Sequence, residues 1–173
     1  MAKTDSFFIR KSVTLTGASF TFETIDLGAY VDALGKAVLR VHNIAVQYSD
    51  PSGGTPDMAS QVNGAADFQI STQTQTDMVI AGDNKAIVAS GRIVAYNADA
   101  TSGNNVPTQV YQDLDMAPQT WTNGYLIGVE SLQLGGRRTT NGWAENVVVS
   151  VVMECTSESL TKEAGLALAL SQQ

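Results

Sequence analysis

The sequence has one histidine and one cysteine, the side chains with which nucleophilic chemistry would begin. A Ser-His-Asp or Cys-His arrangement would need His42 as its base. His42 lies inside a predicted strand, whereas catalytic groups usually lie in loops at the ends of a sheet. Cys155 alternates with Val151 and Met153 along another predicted strand, which is typical of an inert core thiol. We therefore predict no catalytic residue and a protein that is not an enzyme.

Metal and cofactor sites need ligand sets that this sequence does not supply. A zinc site or a cupin-type site would need several His or Cys ligands. The segment GAYVDALGKA has two glycines, but six residues separate Gly28 from Gly35 where a phosphate-binding loop requires four, and Ala37 replaces the hydroxyl. Aspartates in predicted loops offer the oxygen ligands that calcium prefers, but their spacing matches no defined calcium loop. We interpret them as solvated turn residues: Asp50, Asp57, Asp83, Asp99, Asp113 and Asp115. We predict no cofactor and no metal site.

Two tryptophans stand beside Asn-Gly turns, Trp121 in WTNG and Trp143 in TNGW. Exposed aromatic rings at the rim of a β-sandwich are the platforms on which a carbohydrate-binding module stacks a sugar. Side chains of this size also serve as core residues or as subunit contacts. We include both tryptophans among the candidate subunit contacts and keep as an alternative sugar binding, in which the tryptophans and tyrosines would be the stacking platforms.

Charge and hydropathy exclude several classes of protein. The chain has 173 residues, a formal net charge of -7 and a pI near 4.5, which opposes direct binding of nucleic acid, because that affinity comes from Lys and Arg. Lys3, Arg10 and Lys11 are fewer than the clusters of a nucleic-acid-binding arm. The longest apolar runs, VVVSVVM and GLALAL, are far shorter than the roughly 20 residues that cross a bilayer. The leading MAKTDSFFIR lacks the apolar stretch of a secretory signal, so we expect no export by that route.

Alternation with a period of two dominates the sequence and predicts an all-β protein. In SFTFETI it places Phe20 and Phe22 on a face that we expect to be buried. In AVLRVHNIAVQYSD the apolar parity changes near His42 and Asn43, which predicts a β-bulge. The last strand, in AENVVVSVVMECT, starts apolar on both faces and predicts a central strand covered on both sides. The segment DLGAYVDALGK interrupts the alternation and indicates a helical turn.

About eight strands in this length fit two packed sheets or a barrel. An immunoglobulin-like domain needs only about 100 residues, so we favour the eight-stranded jelly roll. We predict an all-β, eight-stranded antiparallel jelly-roll sandwich over residues 1–156, with residues 1–18 as an N-terminal arm or first strand. Residues 51–66 and 97–107 are predicted to be long loops at the sheet ends, and residues 157–173 a C-terminal extension, a short helix or an extended segment.

The strand series and its loops rich in Asn, Gly, Ser and Thr resemble the single jelly-roll major capsid proteins of icosahedral viruses of archaea and bacteria, particularly those that contain a membrane. The segments that carry the resemblance are SFTFETIDLGAYVDALGKAVLRVHNIAVQYSD, GYLIGVES and ENVVVSVVMECTSESL. It implies a structural virion protein, made in the host cytoplasm, that self-assembles through symmetric contacts into an icosahedral shell. The implied partners are copies of the chain. The resemblance also allows a second capsid protein and an internal membrane as partners, and we expect no direct contact with nucleic acid. The alternative is a non-catalytic β-sandwich, either a carbohydrate-binding module or a phage-associated adhesin.

The C-terminal SESLTKEAGLALALSQQ follows the last predicted strand. Ser157 or Ser159 can cap a helix in this segment. A helix would place on one face Leu160, Ala164, Ala167 and Leu168. The leucines also alternate with a period of two, so a strand added to a neighbouring subunit is the other possibility. The segment either folds back on its own domain or docks on an adjacent subunit or an internal layer. Its candidate subunit contacts are Leu160, Ala164, Leu166, Leu168 and Leu170.

Overall fold

A computed structural model describes residues 4–32, 37–59, 62–96 and 109–172 of the chain. The described part contains nine strands, one 3₁₀ turn and one helix. In chain order they are β1 (Phe7–Leu15), β2 (Thr21–Asp26), β3 (Ala37–Ser49), β4 (Gly64–Ser71), β5 (Ile87–Tyr96), β6 (Gln109–Met116), the 3₁₀ turn (Pro118–Thr120), β7 (Tyr125–Ile127), β8 (Ser131–Arg138), β9 (Val147–Ser159) and α1 (Lys162–Ser171). In these described segments α1 is too short to span a bilayer.

The strands form two antiparallel sheets with the order of a jelly roll. Sheet A has the order β1-β9-β3-β7, and sheet B has the order β2-β8-β4-β5-β6. Four pairs are nested along the chain, β1 with β9, β2 with β8, β3 with β7 and β4 with β5, and successive pairs alternate between the two sheets. One long antiparallel hairpin rolled into two sheets produces this order. The predicted all-β jelly-roll fold is confirmed, with β6 as an additional strand at the edge of sheet B.

The core lies between the sheets and is lined by alternate residues of each strand. On β9 the buried nonpolar side chains are Val147, Val149, Val151, Met153 and Cys155, as the parity of this strand predicts. On β3 the predicted bulge is confirmed, because its pairing with β9 shifts register between Val41 and Asn43. The shift allows Leu39 before it and Ile44 after it to face the same core.

The predicted burial of Phe20 and Phe22 is wrong. The buried side chain of β2 is Ile25, while Phe22 is exposed and Phe20 is half-buried. Phe22 pairs with Gly135 of β8, and the Phe20 ring lies over Gly135, where a Cβ would collide with it. Because Gly135 has no side chain, the Phe20 ring packs against it on the surface of sheet B that faces away from sheet A.

The prediction that β9 is covered on both faces is half right. The strand is central in sheet A, between β1 and β3. Its second face, which points away from sheet B, leaves Val148, Ser150 and Val152 half-buried. The nonpolar character of this face therefore does not reflect a second covering layer within the described part of the chain.

The predicted connections are in part confirmed. Leu27 accepts backbone hydrogen bonds from both Tyr30 and Val31, which makes one helical turn. The loop predicted over residues 51–66 ends earlier, since β4 begins at Gly64. The loop predicted over residues 97–107 lies outside the described residues.

Candidate subunit-contact surfaces

The C-terminal segment forms helix α1, which begins after β9 ends at Ser159. The Thr161 side chain caps it by accepting a hydrogen bond from the Ala164 amide, so the predicted capping by Ser157 or Ser159 is wrong. Those serines are still part of the strand. The helix buries Gly165 and Ala169, a different face from the one predicted.

A single glutamine holds the end of α1 on the domain. The Gln172 carboxamide donates to the carbonyl of Leu126 at 2.6 Å and accepts from the amide of Gly128 at 2.8 Å. Its backbone carbonyl accepts from the Thr72 hydroxyl at 2.9 Å. The carboxamide thus pairs with the edge of β7 as a neighbouring strand would, and α1 folds back on its own domain.

Glycine at position 128 permits this close approach. A Cβ on Gly128 would lie 3.1 Å from the Leu168 Cδ2 atom and 3.2 Å from the Ala169 amide nitrogen. The buried face of α1 is therefore in contact with the chain that follows β7.

Beside its buried face, α1 carries two exposed leucines. Leu166 and Leu170 lie one helical turn apart, and Leu170 is 61% exposed. Of the other predicted contacts on this segment, Ala164 is exposed, and Leu160 and Leu168 are half-buried. The structure therefore brings Leu166 and Leu170 together on one exposed surface, which we name the α1 surface.

The two tryptophans have different environments. Trp121 follows the 3₁₀ turn and is 53% exposed. Trp143 is 5% exposed, belongs to the core, and donates from its indole nitrogen to the carbonyl of Ala65 at 3.0 Å. Only Trp121 presents its ring at the surface.

Two edges of the sandwich, those of β1 and β6, carry further exposed nonpolar side chains. On β1, Phe8 is 56% exposed and lies beside Arg10, whose guanidinium carbon is 5.9 Å from the ring centroid. On β6, Val110 and Tyr111 are exposed, as is Tyr96 at the end of the neighbouring β5. We name these the β1 edge and the β6 edge.

Three further glutamines play a structural part that their sequence positions do not reveal. Each carboxamide bonds both the amide and the carbonyl of one distant residue. The pairs are Gln69 with Val79, Gln133 with Gln75, and Gln119 with Ile44. The first two fix the segment after β4 to the surface of sheet B, and the third satisfies backbone groups of β3 just after its bulge.

A buried ion pair joins β3 to β9. The Arg40 guanidinium donates to both carboxylate oxygens of Glu158, at 2.7 and 2.9 Å, and to the carbonyl of Asn123 at 2.6 Å. The Glu158 side chain is 1% exposed. The bond to Glu158 is the main cause that raises the pKa of Arg40.

A surface cavity of about 380 Å³ lies on sheet B and contains charged side chains. Arg92 forms an ion pair with Asp115 at 2.7 Å, and Arg137 lies 3.5 Å from Asp77. Burial raises the pKa of Asp67, which lies between the two arginines in the strand register. The cavity contains no histidine or cysteine to act as a base or nucleophile.

Neither His42 nor Cys155 lines the cavity on sheet B. His42 Nε2 lies 2.9 Å from the hydroxyl of Thr156, and the Cys155 thiol is buried in the core. Burial raises the pKa of this thiol to about 12, so it stays protonated at neutral pH. Among the described residues no group of three His, Cys, Asp or Glu side chains is arranged to bind a metal ion.

Comparison with solved structures finds viral proteins. The chain is similar to a protein of Desmodium yellow mottle tymovirus, with 10% identity over 90% of this chain and 89% of the other and a TM-score of 0.32. It is also similar to Merkel cell polyomavirus VP1 in an unassembled pentamer, with 7% identity over 89% and 96% of the two chains and a TM-score of 0.39. A protein of turnip yellow mosaic virus matches with 8% identity over 91% and 84% and a TM-score of 0.29. No protein-family model and no curated protein sequence matches the chain. The jelly-roll assignment rests on the strand order.

The exposed nonpolar side chains do not gather in one concave site. They lie on the α1 surface, at Trp121, on the β1 edge and on the β6 edge, and also at Phe22, Tyr30 and Ile80. Edges β1 and β6 belong to different sheets. Neighbouring exposed nonpolar side chains are typical of contact surfaces, and here such neighbours lie on the α1 surface and at the β6 edge, whereas single exposed ones are ordinary.

Proposed function

We propose that this protein is a structural subunit of a viral capsid, which associates with copies of itself to build a shell. The observation that carries the proposal is the jelly-roll strand order, with neighbouring exposed nonpolar side chains on both the α1 surface and the β6 edge. A subunit inside a closed shell is contacted on several sides, because each neighbour is generated by a different symmetry operation.

The other common uses of this fold are less well supported by the residues. Jelly rolls also serve as cupins and lectin domains. A cupin-type metal site would draw on several histidines, whereas this sequence has one. The sugar-binding alternative draws on Trp121, Trp143 and tyrosines as stacking platforms, and the burial of Trp143 removes one of them.

The acidic composition bears on what the shell would enclose. With a net charge of -7, the subunit has no general electrostatic attraction to a genome. We therefore propose that its inner surface faces a membrane or another protein. An origin in a membrane-containing virus of archaea or bacteria stays a prediction from the sequence resemblance.

The α1 surface offers a direct test of assembly. Replacing Leu166 and Leu170 together by glutamate places two charges on this exposed face without changing the buried face held by Gln172. We expect the variant to remain folded but to associate more weakly than the wild type, as measured by sedimentation velocity over a concentration series. The matched control is the double variant Thr74→Glu/Thr76→Glu, which also adds two charges, at exposed loop positions outside these surfaces.

Two results would count against the proposal. A wild-type protein that stays monomeric at every concentration, and forms no particles, would refute assembly. If the wild type assembles and the double variant matches it, the α1 surface is not a contact and assembly must use the other surfaces.

A further inference from the structure

The β1 and β6 edges lie at opposite ends of the sandwich. Strand β1 packs beside β2 and β8, while β6 is the last strand at the other end of sheet B. Within the described residues the backbone of β1 is paired on one side by β9, and that of β6 on one side by β5. Each strand therefore has a free side, in contrast to β7, whose edge is occupied by the Gln172 carboxamide.

The two edges carry opposite charges. Strand β1 contains Arg10 and Lys11 and no acidic residue, whereas β6 contains Asp113 and Asp115 and no basic residue. Lys11 and Asp115 are already used within the domain, by Glu23 at 3.1 Å and by Arg92 at 2.7 Å. Arg10 and Asp113 are both exposed and make no ion pair within the described residues.

Large side chains accompany these charges at both edges. Phe8 lies beside Arg10 on β1, and Tyr111 lies beside Asp113 on β6, where its hydroxyl donates to the Asp113 carboxylate. Both rings are exposed by half or more. Aromatic residues and arginine are the residues enriched at the centres of protein interfaces.

We propose that the β1 edge of one copy docks on the β6 edge of a second copy, with Arg10 facing Asp113 and the aromatic rings of the two edges in contact. This inference rests on the proposed assembly function and names the contact that it uses. Like edges are a poor match, because pairing β1 with β1 or β6 with β6 would bring like charges together. A contact between two different edges is heterologous, so it repeats from copy to copy and closes into a ring when the rotation permits.

Charge reversal tests the contact. Arg10→Glu and Asp113→Lys each place like charges across the proposed interface, and we expect each variant alone to associate about tenfold more weakly than the wild type. An equimolar mixture of the two variants should recover association, because each reversed edge then meets the oppositely charged edge of the other variant. The same recovery is expected in the double variant Arg10→Glu/Asp113→Lys. Sedimentation velocity measures all four samples.

Matched controls reverse exposed charges elsewhere. Lys85→Glu and Asp57→Lys make the same changes of charge at exposed positions outside both edges, and we expect wild-type association for each. Thermal unfolding followed by circular dichroism verifies that every variant is folded.

The outcomes separate this inference from the proposed function. A wild type that assembles while Arg10→Glu and Asp113→Lys assemble equally well overturns the edge contact and leaves the assembly function standing. Weakened single variants that do not recover on mixing also overturn it. A wild type that does not associate at all refutes the proposed function itself.

Discussion

The buried ion pair between β3 and β9 allows a quantitative test of the fold. Arg40→Met removes the cation and keeps most of the hydrophobic stem, so the Glu158 carboxylate, 1% exposed, is left without its guanidinium partner. Removing one member of a buried pair typically costs about 3–5 kcal/mol, since the remaining charge stays desolvated. The Arg40 side chain is 18% exposed, so water can partly replace it, and we expect a loss near the lower end, about 3 kcal/mol.

The assay is urea unfolding, followed by tryptophan fluorescence and by circular dichroism at one fixed protein concentration. Urea unfolding measures the free energy of unfolding directly. In a thermal unfolding experiment, a loss of about 3 kcal/mol corresponds to a decrease in Tm of roughly 6–12 °C for a domain of this size. The double variant Arg40→Met/Glu158→Leu removes both charges, and we expect it to lie within about 1 kcal/mol of the wild type. Lys85→Met, which removes an exposed cation, is the control and should change stability by less than about 0.5 kcal/mol.

A loss below about 1 kcal/mol for Arg40→Met would refute this reasoning, because it would mean that the carboxylate is not desolvated in the folded protein. A double variant as unstable as the single variant would also contradict it. That result would show that packing around the pair, rather than removal of the guanidinium from the carboxylate, accounts for the loss.

Two further predictions concern the C-terminal helix and the core thiol. Gln172→Ala removes both carboxamide hydrogen bonds to the β7 edge, which contribute roughly 1 kcal/mol each. Amide hydrogen exchange in α1 should therefore become faster while the core strands keep their protection. Unchanged exchange would show that these bonds do not hold the helix. The raised pKa of Cys155, from 9.0 to about 12, predicts that a thiol reagent at pH 8 reacts only after unfolding. Because the unfolded thiol ionises first, this group stabilises the fold fully below pH 9 and loses its contribution as the pH rises towards 12. Rapid labelling of the folded protein would contradict the buried position of Cys155.

The sequence predicts the elements whose signal is local. Alternation along β9 identifies its buried face, and the parity change near His42 locates the bulge in β3. Both follow from a period of two and need no knowledge of neighbouring strands. The jelly-roll topology was predicted from strand number and length and is confirmed in the nested pairing.

Other features depend on contacts between distant residues, which periodicity does not encode. Phe22 alternates as a buried residue should, but its neighbour across the sheet is Gly135, and this pairing places the ring on the outside. The four glutamines that bond to distant backbone groups have no local sequence signal, because those backbone groups lie near them only in the folded chain. Trp121 and Trp143 stand in similar turn motifs, yet only the fold distinguishes the exposed ring from the core ring.

For the α1 surface and the two edges, too, the sequence predicts the local features but not those that depend on distant contacts. The leucines of the C-terminal segment identify it as amphipathic, but the face that remains exposed depends on Gly128 and Gln172, which set how the helix packs. The opposite charges of β1 and β6 are visible in the sequence. Their positions at opposite ends of the sandwich are a property of the topology.

Electron microscopy of the purified wild-type chain over a range of concentrations tests the central claim most directly. If the protein is a capsid subunit, the images contain rings or closed particles of uniform size, built from this chain alone or with a second capsid protein added. A field of single 18.3 kDa subunits under every condition, with or without such a partner, would contradict the account.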